Sequence, residues 1–238
     1  MPSQRYFLIY SRFSLADQKA KIGSLALEDG TVSKLFQAFL TDTVSRFAGV
    51  VEASIRIVCG DEKELEYIRQ AVPNFESRSY SGETQGDILK AAIDDVLSSG
   101  AKQVFVLDSS APTAPARIVQ SGFSLIEVFD NTFTIAPNER GGFYAFGLNS
   151  SRLNVLDGID TTSLEGYEEI IGRICEFDAS VYILNSWYSV NSVEDLIQLR
   201  GEVQTSDSFD NMLDATLEVL ETIPEETLLP TEPKSKKS

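Results

Sequence analysis

A carboxylate that could do chemistry stands at the end of an apolar run: Asp108 follows residues 104–107, which are all apolar. In an open α/β sheet the ligand lies beyond the carboxyl ends of the strands, so a side chain at this position faces a favoured site. A stretch rich in turn residues, 109–115, comes next. Asp108 is therefore a candidate metal ligand or catalytic group, or a carboxylate that accepts hydrogen bonds from the amides of its own loop.

A second group of candidates lies in a short turn that contains Glu139, Arg140, Gly141 and Gly142. Glu139 is a candidate general base if the backbone brings it near the end of the strand before Asp108. The glycine pair is typical of a tight hairpin turn, and also of a loop whose backbone approaches a ligand closely. Both interpretations stay open from the sequence.

The composition excludes several kinds of catalytic site. None of the 238 residues is a histidine, so Ser-His-Asp and Cys-His catalytic sites and histidine zinc sites are ruled out. Two cysteines cannot supply a four-cysteine cluster, and the apolar neighbours of Cys59 and Cys175 predict inert core thiols. Walker, Gly-x-Gly-x-x-Gly and Gly-x-Ser-x-Gly motifs are also missing, so P-loop, dinucleotide-binding and serine hydrolase functions lack support.

The charge and hydropathy limit the partners. The chain carries 20 Lys and Arg against 36 Asp and Glu, a net charge of −16, which opposes binding to a phosphate backbone. Its apolar runs are strand-sized, far shorter than a membrane span or a signal-peptide core. We therefore expect a cytoplasmic protein that binds neither nucleic acid nor a membrane.

Predicted strands and helices alternate along the chain, and they must position these candidate residues. Apolar runs at 6–10, 53–59, 75–80 and 104–107 predict strands, and helical spacing of apolar residues predicts helices at 32–47, 61–71, 86–97 and around 118–123. Continuous apolar strands indicate a parallel sheet covered by helices on both faces. Two strands at 132–136 and 143–148, around a glycine turn, make the predicted sheet mixed.

The remaining sequence predicts a helix at 164–177, a strand at 181–184, a short helix and a last helix through Phe209 and Leu220. Ser192 and Asp195 resemble a capping box at the start of the short helix. We predict one domain over residues 1–223, because a single core can serve a chain of this length. Residues 224–238 are rich in Pro, Glu, Thr and Lys and predict a disordered tail.

Five segments carry a family resemblance. The most specific is 136–148, with its proline, its acidic residue, its glycine pair and a later glycine; the others begin at Tyr10, Gln85, Val104 and Trp187. In order and spacing they resemble the bacterial nucleotide-diphospho-sugar transferases with a glycosyltransferase-A fold, also known as radical-SAM/selenodomain-associated transferases. The resemblance implies a single-domain α/β fold with a mixed, mostly parallel sheet flanked by helices.

The resemblance also implies roles for individual residues. It assigns binding of the nucleotide and its phosphates to eight positions: Arg12, Lys21, Gly86, Asp87, Ser110, Arg140, Gly141 and Gly142. Asp108 stands at a glycine position of the family pattern, and a small shift of the backbone would let Asp108 act as the metal ligand or Glu139 as a base, so these two are the candidate catalytic residues. In such a site Mg²⁺ or Mn²⁺, held by carboxylates, neutralises the leaving diphosphate.

The departures from the family pattern concern mainly charged residues. Positions that are acidic in the family hold Ser110, Arg140, Ser189 and Asn191 here. The glycine that follows the family's Gly-Asp pair by two residues is Leu89. Residues that shape the backbone are mostly kept, whereas the oxygens that a hard cation prefers are mostly lost.

Two functional hypotheses follow, and they differ on whether the chain is an enzyme. In the first, the metal-dependent site is degraded and the protein is a binding or assembly module that pairs with another protein or with a second copy. In the second, it is an active glycosyltransferase that transfers a sugar from a nucleotide-diphospho-sugar, either with a metal ion or without one, and in the metal-independent case Arg12 and Arg140 replace the cation. Mg²⁺ or Mn²⁺ is expected only if the protein is active.

Overall fold

A mixed sheet is the centre of the computed structural model, which describes residues 4–11, 29–49, 51–205, 213–224 and 227. Within these ranges the sheet has seven strands in the order β3-β2-β1-β4-β6-β5-β7. The strands are β1 (Arg5–Tyr10), β2 (Ser54–Cys59), β3 (Glu76–Ser79), β4 (Gln103–Asp108), β5 (Thr132–Pro137), β6 (Phe143–Leu148) and β7 (Ser180–Ile183).

Helices connect and cover these strands. They are α1 (Asp29–Ala48), α2 (Glu62–Ala71), α3 (Gln85–Ser98), α4 (Arg117–Val128), α5 (Leu164–Cys175), α6 (Val193–Thr205) and α7 (Asp214–Glu221), with a 3₁₀ helix at Leu153–Leu156. The sequence analysis predicts every one of these α-helices and strands, and it misses the 3₁₀ helix, whose single turn is too short to show a period.

The sheet is mostly parallel, as predicted. β1 pairs in parallel with β2 and with β4, β2 pairs in parallel with β3, and β5 pairs in parallel with β7. β6 runs antiparallel to both of its neighbours, β4 and β5. The glycine turn between β5 and β6 produces this reversal, because two adjacent antiparallel strands need only a tight turn.

Alternate side chains of the central strands fill two apolar layers. Phe7 and Ile9 belong to the layer on one face of the sheet, where the Phe7 ring lies 5.3 Å from that of Phe47 in an edge-to-face arrangement. Leu8 and Tyr10 belong to the layer on the other face, together with α3 and α5 residues. A third apolar cluster joins α1, α6 and α7. Strands buried on both faces explain the continuous apolar runs of the sequence.

The two cysteines differ in their surroundings. Cys59 is buried, and burial raises the pKa of its thiol to about 12, as expected of an inert core thiol. The prediction for Cys175 is wrong, since this residue ends α5 with an exposed side chain. Its apolar neighbours in the sequence, Ile170 and Ile174, lie on the buried face of the helix, which Cys175 does not share.

Two other predictions concern the end of the chain and the membrane. Phe209 and most of the predicted tail lie outside the described residues, and α7 begins at Asp214. Every helix in the described part of the chain is too short or too polar to cross a lipid bilayer.

A polar network stabilises the β2–β3 edge of the sheet. The buried guanidinium of Arg56 donates to Asp95 at 2.6 Å and pairs with Glu76 at 3.1 Å. Asp95 also accepts from Arg78 and from the Tyr80 hydroxyl, both at 2.8 Å. Burial acts to raise the pKa of Asp95, but the Tyr80 hydrogen bond and the two guanidinium charges outweigh it, so the pKa lies below its ordinary value.

We expect Asp95→Asn to lower the free energy of unfolding by about 2 kcal/mol at neutral pH, because it removes the charge that compensates a buried guanidinium. Since the folded pKa of Asp95 is lowered, its contribution is complete above its unfolded pKa of about 3.9 and is lost as the pH falls through the folded pKa. Urea unfolding of both proteins over a pH series measures this. Asp94→Asn, at the exposed neighbouring position, is the control and should change stability by less than about 0.5 kcal/mol.

Candidate functional site

Three loops meet beyond the carboxyl end of β4, and we call them the site loops: 109–116, 138–142 and 185–192. The third loop is bonded to both of the others. The amide of Val190 donates to the Ser110 carbonyl at 2.7 Å, and the amide of Glu139 donates to the Trp187 carbonyl at 3.0 Å. Most of the candidate residues therefore lie beyond the carboxyl end of β4, where the sequence predicts the site.

Asp108 ends β4 with a buried side chain. Its Oδ1 accepts a hydrogen bond from the amide of Ser110 at 2.9 Å, as in a turn that an aspartate closes with its own loop. This is the structural alternative that the sequence left open for Asp108.

The cavity beside Asp108 is very small. Its volume is about 10 Å³, and its lining includes Tyr10, Leu89, Asp108, Phe143 and Thr161. A cavity needs roughly 10–15 Å³ to hold one water molecule, so this space is far below the size of a nucleotide base. We refer to it as the Asp108 cavity.

Leu89 is one of the side chains that line this cavity. It lies on α3, is 3% exposed, and lines the Asp108 cavity at the position where the family resemblance places a glycine. A glycine would leave the volume of an isobutyl group empty next to Asp108. At the position that the resemblance gives to a glycine, this chain thus carries a buried isobutyl group that lines the Asp108 cavity.

Two of the four positions that are acidic in the family pattern hold neutral hydroxyls. Ser110 and Ser189 are both buried, and neither Oγ has a hydrogen-bond partner. Within the ranges that the structure describes, no group of three or more acidic or cysteine side chains could hold a metal ion. Asp108 with two serines does not match the anionic oxygen ligands that Mg²⁺ or Mn²⁺ needs, so we derive no step through a metal.

Arg140 is held by an ion pair. Its Nε lies 2.8 Å from Oδ1 of Asp195, whose side chain is fully buried. Oδ2 of Asp195 accepts from the amide of Asn191 and from the Ser192 hydroxyl. The Ser192 hydroxyl in turn accepts from the Asp195 amide at 3.2 Å, so the N-cap bond of the predicted capping box is present and the reciprocal bond goes to Asn191.

Gly141 and Gly142 form a tight turn. Both have positive φ angles, 106° and 73°, which favour glycine. The amide of Gly141 donates to the Asn138 carbonyl at 3.1 Å, and a Cβ on Gly142 would collide with the carbonyl oxygen of Thr161. The geometry of the tight turn thus explains both glycines, and their contact with a phosphate stays a prediction.

Gly86 and Asp87 hold the loop 156–162. A Cβ on Gly86 would meet the carbonyl oxygens of Leu156 and Ile159. Oδ1 of Asp87 accepts from the amide of Gly158 at 2.9 Å, while the same carboxyl completes a capping box with Thr84. The Gly158 hydrogen bond is the largest cause of a lowered pKa for Asp87.

The other predicted residues divide into two groups. Arg12 and Lys21 lie outside the described residues. Glu139 is in a site loop, and its side chain is exposed. The structure therefore brings Asp108, Ser110, Glu139 and the 140–142 turn to one end of the sheet, while Gly86 and Asp87 support an adjoining loop.

Sequence reasoning missed two residues that organise the site loops. The indole N–H of Trp187 donates to the Thr113 hydroxyl at 3.0 Å, which joins two site loops. Asp195 pairs with Arg140, a contact that its capping-box position in the sequence does not reveal. The sequence did offer one sign of this pair. Arg140 stands at a position that is acidic in the family pattern, and a positive charge there needs a nearby carboxylate.

Comparison with known protein families shows which family the chain belongs to. A bacterial family described as "Uncharacterized protein conserved in bacteria (DUF2064)" matches residues 43–163, about half of the chain. The chain belongs to this family. The matched region runs from α1 through the 140–142 turn to the 156–162 loop, and so includes most of the site just described. No curated protein sequence matches the chain.

Solved structures share the fold of this family member. A protein of Desulfovibrio desulfuricans G20, provisionally named a nucleotide-diphospho-sugar transferase, superposes with a TM-score of 0.77 at 20% identity, over 95% of this chain and 97% of that one. A cytidylyltransferase of Leptospira borgpetersenii gives 0.61 at 16% identity, over 96% and 98%. A nucleotidyl transferase of Methanothermobacter gives 0.58 at 11% identity, over 85% and 99%. The predicted single-domain, transferase-like α/β fold is confirmed.

We expect Gly86→Ala to destabilise the protein by about 1–3 kcal/mol, because the added Cβ forces the backbone of the 156–162 loop to move. The matched control is Gly172→Ala on α5, where a Cβ meets no atom within 4 Å. That control should raise stability by about 0.5–1 kcal/mol, since alanine is the better helix former. Denaturant unfolding measures both, and equal stability of the two variants would contradict the close approach at Gly86.

The Arg140–Asp195 pair gives a double-mutant cycle. Arg140→Gln should lower stability by about 2 kcal/mol, because it leaves one oxygen of a buried carboxylate without its charged partner. In the background of Asp195→Asn the same substitution should cost at least about 1 kcal/mol less. Arg69→Gln, an exposed site on α2, serves as the control for loss of a positive charge. Additive effects would show that the ion pair contributes nothing.

Proposed function

We propose that this family member is a transferase-fold protein whose metal-dependent transfer site is degraded and which acts as a binding or assembly module. The observation that carries the proposal is the small volume of the Asp108 cavity, about 10 Å³, with the buried side chain of Leu89 in its wall. A donor nucleotide needs a cleft tens of times larger, of the order of several hundred Å³.

The chemistry of the site loops supports the same conclusion. Buried neutral hydroxyls at Ser110 and Ser189 offer no charge to a divalent cation. Arg140 could replace a cation beside a diphosphate only with its charge available, and Asp195 already neutralises it at 2.8 Å. The backbone around these side chains is nevertheless well bonded, so the scaffold persists without the ligands of the family pattern.

A protein partner or a second copy of the chain is the partner that a module of this kind requires. The net charge of −16 favours a partner with a basic surface and disfavours nucleic acid. The same net charge disfavours anionic lipid, and we propose that the protein is cytoplasmic.

The second candidate function is an active, metal-independent glycosyltransferase. It is favoured by the position of Asp108 and Glu139 at the carboxyl end of the sheet, where a base would be useful. It requires Arg12, Lys21 and Arg140 to hold the diphosphate together, with Gly141 and Gly142 near it. It also requires Leu89 to leave the space that it occupies.

Thermal unfolding with UDP-, GDP-, CMP- and dTDP-sugars, each with and without Mn²⁺, tests the proposal. A ligand at one hundred times its Kd stabilises the native state by about 2.7 kcal/mol, which raises the Tm of a chain of this size by roughly 5–10 °C. We expect no such shift and no release of nucleotide. A metal-dependent shift with turnover of one donor would contradict the degraded-site proposal. A shift with metal-free turnover would establish the second candidate.

A variant tests the closure directly. Leu89→Ala should cost about 2–5 kcal/mol in stability and enlarge the Asp108 cavity. If Leu89 is what excludes the nucleotide, the variant gains a Tm increase of a few degrees with a nucleotide that leaves the original protein unchanged. The control is Ile93→Ala, one turn along α3, which is buried in the same layer and does not line the cavity. An equal response of both variants would contradict a specific closure by Leu89.

A further inference from the structure

A second and larger cavity lies on the opposite face of the sheet from the Asp108 cavity. Its volume is about 280 Å³, and Tyr144 lines both cavities. Its walls come from the start of α4, from Tyr144 on β6, and from residues 183–187 after β7. We call it the Trp187 pocket.

One part of this pocket is apolar and aromatic. Ile118 and Leu184 are buried, and the rings of Tyr144 and Trp187 complete the wall. Hydrogen bonds fix both rings: the Tyr144 hydroxyl donates to the Asn185 carbonyl at 3.0 Å, and the Trp187 indole donates to the Thr113 hydroxyl. An apolar cavity of about 150 Å³ holds benzene, so this pocket has room for one ring with a short polar substituent.

The polar part of the pocket is positively charged. Among its described lining residues Arg117 is the one with a charge, and no ion pair or hydrogen bond joins that side chain to the described part of the chain. Arg117 and Tyr144 both line this pocket, and the positive charge of Arg117 acts to lower the pKa of Tyr144, against the larger effect of burial. Glu139 acts on the same hydroxyl with the opposite sign and is the carboxylate that faces it from the adjacent turn.

The Arg117 side chain is exposed and has no ion-pair partner among the described residues, so its charge is available to a ligand in the pocket. Arginine pairs with a carboxylate through two parallel hydrogen bonds. One arginine neutralises a single negative charge, whereas a phosphate dianion would leave a second charge near Glu139. The charge balance therefore favours a monoanion.

We propose that the Trp187 pocket binds a small organic acid, a single carboxylate joined to an aromatic or cyclic aliphatic body. The carboxylate pairs with Arg117, and the body packs against Tyr144, Trp187 and Ile118. This inference goes beyond the proposed function, because it concerns another cavity and holds whether or not the Asp108 site is degraded.

All tryptophan fluorescence of the chain comes from Trp187, which lines this pocket and is the single tryptophan. We would titrate the full chain with phenylacetate and cyclohexylacetate, with the corresponding neutral amides, and with phenyl phosphate. The expected result is a saturable change in emission, with each acid bound at least tenfold more tightly than its amide. No saturable change with either acid, or tighter binding of phenyl phosphate, would overturn the proposal.

Arg117→Gln tests the recognition of the carboxylate. The side chain is exposed, so the fold should persist, which circular dichroism verifies. We expect affinity for the acids to fall at least tenfold, with affinity for the amides unchanged. Arg69→Gln removes the same charge on α2 and should change neither. Unchanged acid binding in Arg117→Gln would refute the assignment of the carboxylate to Arg117.

Ser121→Phe tests the location of the site. Ser121 lies on the exposed side of α4 and lines the pocket, so a larger side chain should fill it at little cost in stability. We expect the binding of acids and amides to be lost together. Retained binding would place the ligand elsewhere. Nucleotide sugars in the thermal experiment address the Asp108 site, so a failure there and a failure here are separate results.

Discussion

Burial of both faces of β1 and β4 is the constraint on which the rest of the structure depends. Side chains that alternate along these strands enter two different apolar layers, and each layer needs its own helices to exclude water. α1, α2 and α4 cover one layer, and α3 and α5 cover the other. Because the central strands are parallel, their carboxyl ends share one edge, and the loops that follow them are brought together there.

Backbone hydrogen bonds then set the shape of that edge. The 185–192 loop bonds to the loop after β4 and to the β5–β6 turn, and the Trp187 indole adds a side-chain bond to Thr113. These bonds do not depend on charged side chains. The loops therefore keep their arrangement with neutral Ser110 and Ser189 in them, and the charge of Arg140 has a partner in Asp195.

Tyr144 separates two spaces with opposite properties. On one face of the sheet, Leu89 and its neighbours leave almost no volume beside Asp108. On the other face, fixed aromatic rings and Arg117 surround an open pocket. Of these two spaces, the one with room for a ligand is the Trp187 pocket and not the cavity beside Asp108. The charged residue of that pocket is Arg117, in the first turn of α4, which lies between two of the segments that carry the family resemblance.

The sequence by itself determined the order and nature of the elements, because apolar periodicity directly reflects which faces are buried. It also located Asp108, the glycine turn and the missing acidic residues, since residue type and position along a strand need no tertiary information. Only the tertiary structure decided that Leu89 fills the space beside Asp108, that Arg140 pairs with Asp195 and that Cys175 is exposed. Those outcomes depend on contacts between residues far apart in the chain, whose distances and burial are set by packing.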